Sequence, residues 1–202
     1  RIILAYLIFT SITFLNLILI FKFDSLIEKK ILTFYNNVKF KLSKILKTII
    51  LFRHGKSNWN ALYKSDHERP IAKRGIKAAR KIGQYIYDKK NIPDLVICSS
   101  ALRARQTAEL AISAGNWGSP LVIEKKLYGA DSASLIKILK EQKDKNNSIC
   151  ITGHEPTMSS FINRYSNGEI VKFPTATISR IDYNIDTWCN IDYYIGKFCW
   201  II

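Results

Sequence analysis

The chain has 202 residues, nearly half of them apolar, and carries 31 lysines and arginines against 16 aspartates and glutamates, a formal net charge of +15. That length holds one domain of ordinary size plus an extension, with apolar residues enough for a core. The charge favours an acidic partner without defining a fold; with no zinc-type cysteine spacing and no interleaving of basic and aromatic residues, it does not indicate a nucleic-acid binder.

Residues 2 to 21, IILAYLIFTSITFLNLILIF, are almost wholly apolar and lie between Arg1 and Lys22. About 20 such residues can cross a bilayer as a helix. The segment 22 to 45 that follows is lysine-rich, which would put the next domain on the cytoplasmic side and favour anionic headgroups. A second reading competes. Residues 1 to 45 contain no Gly, Pro, Cys, Trp or His, and the single methionine is Met158. Translated AT-rich upstream sequence would look the same. Both readings stay open, and the recognisable domain is expected over 46 to 202, where 24 basic and 14 acidic residues leave a net charge of +10.

Thr48 to Phe52 is short, apolar and β-branched, which predicts a buried strand. Residues 72 to 90 predict an amphipathic helix, with Ala72, Ile76, Ala79, Ile82, Gly83 and Ile86 on one face and the lysines mostly on the other. DLVICSS reads as a second buried strand, ALRARQTAELAISAG as a helix closed by Gly115, and PLVIE as a third strand. SASLIKILKEQK reads as a helix capped by Asp131 or Ser132. SICITGH reads as a fourth strand and EPTMSSFINRYSNG as a fourth helix. The stretches 176 to 184 and 186 to 202 are expected to finish the chain as antiparallel strands. Cys98 and Cys150 lie in apolar runs and are expected in the core, whereas Cys189 and Cys199 are expected as free thiols.

Strands alternating with helices predict an α/β three-layer sandwich: a mostly parallel central sheet with helices on both faces. Ligands of such sheets bind beyond the carboxyl ends of the strands. Three of those ends carry conspicuous polar groups: Arg53 and His54, then Ser99 and Ser100 with Arg103 just beyond, then Gly153 and His154. Two arginines and two histidines at one rim suit an oxyanion. Guanidinium groups match phosphate geometry and stay charged, and a neutral imidazole can carry a phosphoryl group covalently. Such chemistry calls for no metal or cofactor, and the sequence offers no acidic metal cluster.

RHGKSNWN, SSALRARQTAE and TGHEP resemble the three signatures of the histidine phosphatase superfamily, also called phosphoglycerate mutase-like. DHERPIAKRG and FPTATISRIDYN resemble its phosphohistidine phosphatase branch. The resemblance runs from Lys47 to the C-terminus. It implies that His54 is the nucleophile, with His154 as its catalytic companion, and that Arg53, Arg103 and His154 hold the phosphoryl oxygens. Asn60 and Ser57 become further phosphate contacts, with local hydrogen bonding at a helix start as the competing reading. A general acid is the least defined part: Glu124 and Asp131 are the candidates, and Asp131 reads equally as a helix cap. His67 has no matching role and is expected at the solvent-exposed surface, as is Arg105.

The implied function is a phosphohistidine protein phosphatase working through a phospho-His54 intermediate, with a phosphorylated protein as partner. The alternatives are a small-molecule phosphomonoesterase of the same superfamily and a non-catalytic, membrane-tethered module that holds phosphorylated ligands. A cytoplasmic domain, tethered if residues 2 to 21 span a membrane, fits each.

Overall fold

The computed structural model describes residues 46–170 and 172–202, which fall in the unit Ile45–Ile202. The candidate membrane span at 2 to 21 and the basic segment at 22 to 45 lie outside the described residues. Among the described residues no helix is long and apolar enough to cross a membrane.

Six strands make one sheet: β1 (Lys47–Arg53), β2 (Leu95–Ser99), β3 (Leu121–Glu124), β4 (Ser148–Gly153), β5 (Ile178–Tyr183) and β6 (Lys197–Ile201). Their spatial order is β3-β2-β4-β1-β5-β6. The first four are parallel; β5 runs antiparallel to β1, and β6 antiparallel to β5. Four helices connect them: α1 (Lys73–Asp88), α2 (Leu102–Ala114), α3 (Ser132–Lys140) and α4 (Thr157–Tyr165).

Strand residues alternate between two cores, as the two-residue period requires. Ile50, Phe52, Val96, Cys98 and Cys150 join Ile82 and Ile86 of α1 and Ala104, Ala108 and Ala111 of α2. Ile49, Leu51, Ile97, Ile149 and Ile151 face the other way, onto Leu135 and Leu139 of α3 and Met158, Phe161 and Ile162 of α4. The three-layer α/β sandwich is therefore the observed architecture. Cys98 and Cys150 are fully buried, and Cys189 and Cys199 are free thiols.

One stretch differs from the expectation of strands to the end of the chain. Trp188–Tyr193 is a 3₁₀ helix, and only Lys197–Ile201 pairs with the sheet. Trp188 and Ile191, both fully buried, sit three residues apart, which is one 3₁₀ turn. Three-residue spacing, not alternation, is what buries this segment against α3.

The topology fixes where a ligand can sit. β1 and β4 are parallel neighbours, with Arg53 opposite Gly153. After β1 the chain leaves for α1 on one face; after β4 it leaves for α4 on the other. Their carboxyl ends therefore diverge and open a crevice at the switch point of the sheet.

Candidate active site

Arg53 is the last residue of β1, His54 the first beyond it, and His154 the first beyond β4. The His54 amide donates to the Gly153 carbonyl at 3.0 Å, which ties the two strand ends together. Arg103 lies in the first turn of α2 and is 5% exposed. The His54 and His154 rings stand 5.0 Å apart between centroids, tilted by 55°. Both arginines act electrostatically on both histidines. The structure thus brings together the four residues that the sequence analysis places at one rim.

His54 Nδ1 lies 2.7 Å from the Gly55 carbonyl oxygen. A carbonyl only accepts, so Nδ1 carries the proton and, in the neutral ring, Nε2 carries the lone pair. Burial pushes the His54 pKa down to about 4, against the Gly55 hydrogen bond and helped by Arg103, Arg53 and Arg69. His154 is pushed down to about 3, by burial first and then by His54 and Arg103. Both imidazoles are neutral at pH 7. The Ser99 hydroxyl sits 2.9 Å from His154 Nε2. Thr107, buried one turn along α2, accepts from the Gly55 amide at 2.9 Å and donates to the Arg103 carbonyl at 2.6 Å. This hydroxyl joins the residue after His54 to the backbone of Arg103.

The guanidinium groups are partly engaged. Arg53 Nη1 donates to the Phe173 carbonyl at 2.7 Å. Arg103 donates to the Asp66 carbonyl at 2.6 Å and to its carboxylate at 2.9 Å. Arg53 Nε, Arg103 Nε and His154 Nδ1 are buried without a hydrogen-bond partner. Leaving a buried polar group unpaired costs about 1–3 kcal/mol. Three such nitrogens on residues of one cluster are what a site for an anionic oxygen ligand presents.

Ser57 is buried, and its backbone bridges to Ile71. Asn60 is exposed in a turn, where its amide donates to the Asn58 side chain at 3.0 Å. Glu124 and Asp131 each cap a turn: Glu124 accepts from the Lys126 amide, and Asp131 from the amide and hydroxyl of Ser134. Arg105 is exposed. Among the described residues no three His, Cys, Asp or Glu side chains gather as a metal site.

His67 departs from the surface position expected of it. It is half-buried, its Nε2 lies 2.9 Å from the Ser100 hydroxyl, and its ring meets Tyr128 edge-on at 4.9 Å. The 3₁₀ turn Asp66–Glu68 is drawn over the rim because Arg103 and Arg69 both hold Asp66. Asp66, Thr107 and Tyr128 are site residues that the sequence did not single out, whereas Ser99 stood out at its strand end without a role. The DHERP stretch was the available signal for Asp66.

The profile of the histidine phosphatase superfamily (branch 1) matches residues 49–131. A protein of unknown role from Mycobacterium leprae is 30% identical over 144 residues, covering 64% of this chain and 86% of that protein. A Mycobacterium tuberculosis protein, likewise without an assigned role, is 38% identical over 99 residues, or 48% of this chain. The chain spans 58% of the length of that relative. Among solved structures, the protein histidine phosphatase SixA complexed with tungstate superposes with a TM-score of 0.62 at 24% identity, covering 77% of this chain and 96% of that one.

Proposed function

This chain belongs to the histidine phosphatase superfamily, branch 1, and on that footing we propose that it is a phosphatase that removes phosphate from phosphohistidine on proteins through a phospho-His54 intermediate. The observation that carries the reading is the trio of buried, unpartnered nitrogens on Arg53, Arg103 and His154 beside a neutral imidazole whose Nδ1 is tied to Gly55. In this reading His54 Nε2 attacks phosphorus in line. Arg53, Arg103 and His154 hold the equatorial oxygens as charge shifts onto them. Water then releases phosphate from His54. Ser57 and Asn60 serve as outer contacts.

The phosphohistidine assignment is supported by how the two candidate acids are engaged. Glu124 and Asp131, the carboxylates considered as general acids, cap turns. An ester needs a proton on its departing oxygen; a protonated imidazole departs without one. The protein histidine phosphatase SixA named above shares this fold.

Incubating the full chain with a phosphohistidine protein and mapping the acid-labile phosphate by mass spectrometry tests the mechanism. The label is expected on His54, and His54→Ala is expected to lose about 10³-fold or more of the activity. Undiminished turnover in His54→Ala would sink it.

A further inference from the structure

Asp66 stands at the mouth of the site with its position over-determined. One carboxylate oxygen accepts from Arg69 at 2.7 and 3.1 Å; the other accepts from Arg103 at 2.9 Å and from the Tyr128 hydroxyl at 3.0 Å. Its backbone carbonyl takes the second Arg103 nitrogen. The carboxylate is thus one guanidinium away from the place the proposed function gives to the phosphoryl group. Partial desolvation works against ionisation, but hydrogen bonds from Arg69 and Tyr128 and the charges of Arg103 and Arg69 hold the carboxyl below its usual range. An ionised carboxylate cannot protonate a departing alkoxide. It can accept a hydrogen bond from a ring N–H in place of the one from the hydroxyl of Tyr128, a half-exposed side chain free to give up that position.

The surroundings suit a flat ring. The Tyr128 ring meets His67 at 4.9 Å and His154 at 5.7 Å, edge-on in both cases. Tyr128 itself is 40% exposed, so this aromatic rim is open to an incoming group.

Resting on the phosphohistidine reading, we propose that Asp66 accepts the hydrogen bond from the distal ring N–H of the substrate's phosphohistidine and so selects its protonated, cationic form. In the first step the His54 Nε2 lone pair forms the new P–N bond. The electron pair of the old P–N bond returns to the substrate ring, which already carries a proton on its distal nitrogen and departs as neutral imidazole. His54 keeps its Nδ1 proton and becomes the cationic phosphoimidazole, held by the Gly55 carbonyl. Asp66 does for the departing ring what Gly55 does for the entering one. In the second step water adds to phosphorus, neutral His54 departs, and both water protons leave with the phosphate. A phosphate ester gains nothing from this acceptor.

The test compares two substrates on the full chain. One is free phosphohistidine; the other is p-nitrophenyl phosphate, whose leaving group needs no proton. Asp66→Asn is isosteric, and the residue is exposed. It is expected to lower the ratio of kcat/KM values, phosphohistidine over nitrophenyl phosphate, by about tenfold or more. Asp66→Glu, which keeps the acceptor, is expected to recover much of that ratio. Asp66→Ser provides a second neutral variant should Asn disturb the turn. A role confined to holding the 66–68 turn would lower both rates together, and a ratio unchanged in both neutral variants overturns the proposal. Failure of the underlying reading looks different: the wild-type chain would not turn over phosphohistidine at all.

Discussion

The role proposed for His54 depends on a single carbonyl. Because Gly55 O accepts from Nδ1, the lone pair is confined to Nε2, and burial keeps the ring neutral with a pKa near 4. A histidine at its ordinary pKa near 6.5 would be partly blocked by a proton just below neutrality. Site-resolved NMR of the ligand-free protein should therefore show His54 and His154 still neutral at pH 5.5. Adding tungstate or phosphate places negative charge beside both rings and should raise both pKa values, with proton uptake measurable by calorimetry in buffers of different ionisation enthalpy. Ring signals that titrate near pH 6.5 without ligand would contradict this account.

At the scale of elements, the packing of α1 against α2 positions Arg103 and Thr107. Gly83 makes the close approach possible: a Cβ there would lie 2.1 Å from the Ala111 carbonyl oxygen, a backbone atom that cannot swing away. The Gly83 carbonyl also accepts from the Trp117 indole at 3.1 Å. Gly83→Ala would push α2 outward and carry Arg103 with it. Overpacking of this kind costs about 3 kcal/mol, so the urea midpoint should fall with the slope unchanged, and kcat/KM should fall with it. A midpoint equal to wild type would show that the helices can part freely. The amphipathic pattern of α1 was legible in the chain; the closeness of its neighbour was not, because a glycine on an apolar face signals room without saying what fills it.

For the whole molecule, two neutral buried histidines tie stability to pH. Their folded pKa values, near 4 and 3, lie below the unfolded value near 6.5. Between these limits the unfolded chain binds more protons, so stability rises with pH across that window. The contribution is complete above about pH 6.5 and is lost as pH falls toward 4. Denaturation midpoints should therefore drop steeply between pH 6.5 and 4, and replacing His154 by Gln should flatten the slope. An unaltered slope would show that His154 does not contribute to the pH dependence.

The local code of this chain determined a good deal. Short continuous apolar runs mark β1, β2 and β4 and helical spacing marks the helices, and Arg53, His54, Arg103 and His154 lie at or just beyond the ends of three strands because parallel strands all deliver their carboxyl ends to one rim. Asp131 was readable as a cap from its place before SASLIKIL. Other features needed the tertiary structure. Trp188–Tyr193 turns as a 3₁₀ helix because α3 offers a surface that buries Trp188 and Ile191 together. His67 is half-buried and Asp66 reaches the site because Arg69 and Arg103, the latter thirty-seven residues further along the chain, hold their turn. Sequence specifies contacts that lie within one element, since backbone periodicity enforces them. Contacts between elements depend on distances that no local pattern encodes, and at this rim those contacts bring the carboxylate to the arginine.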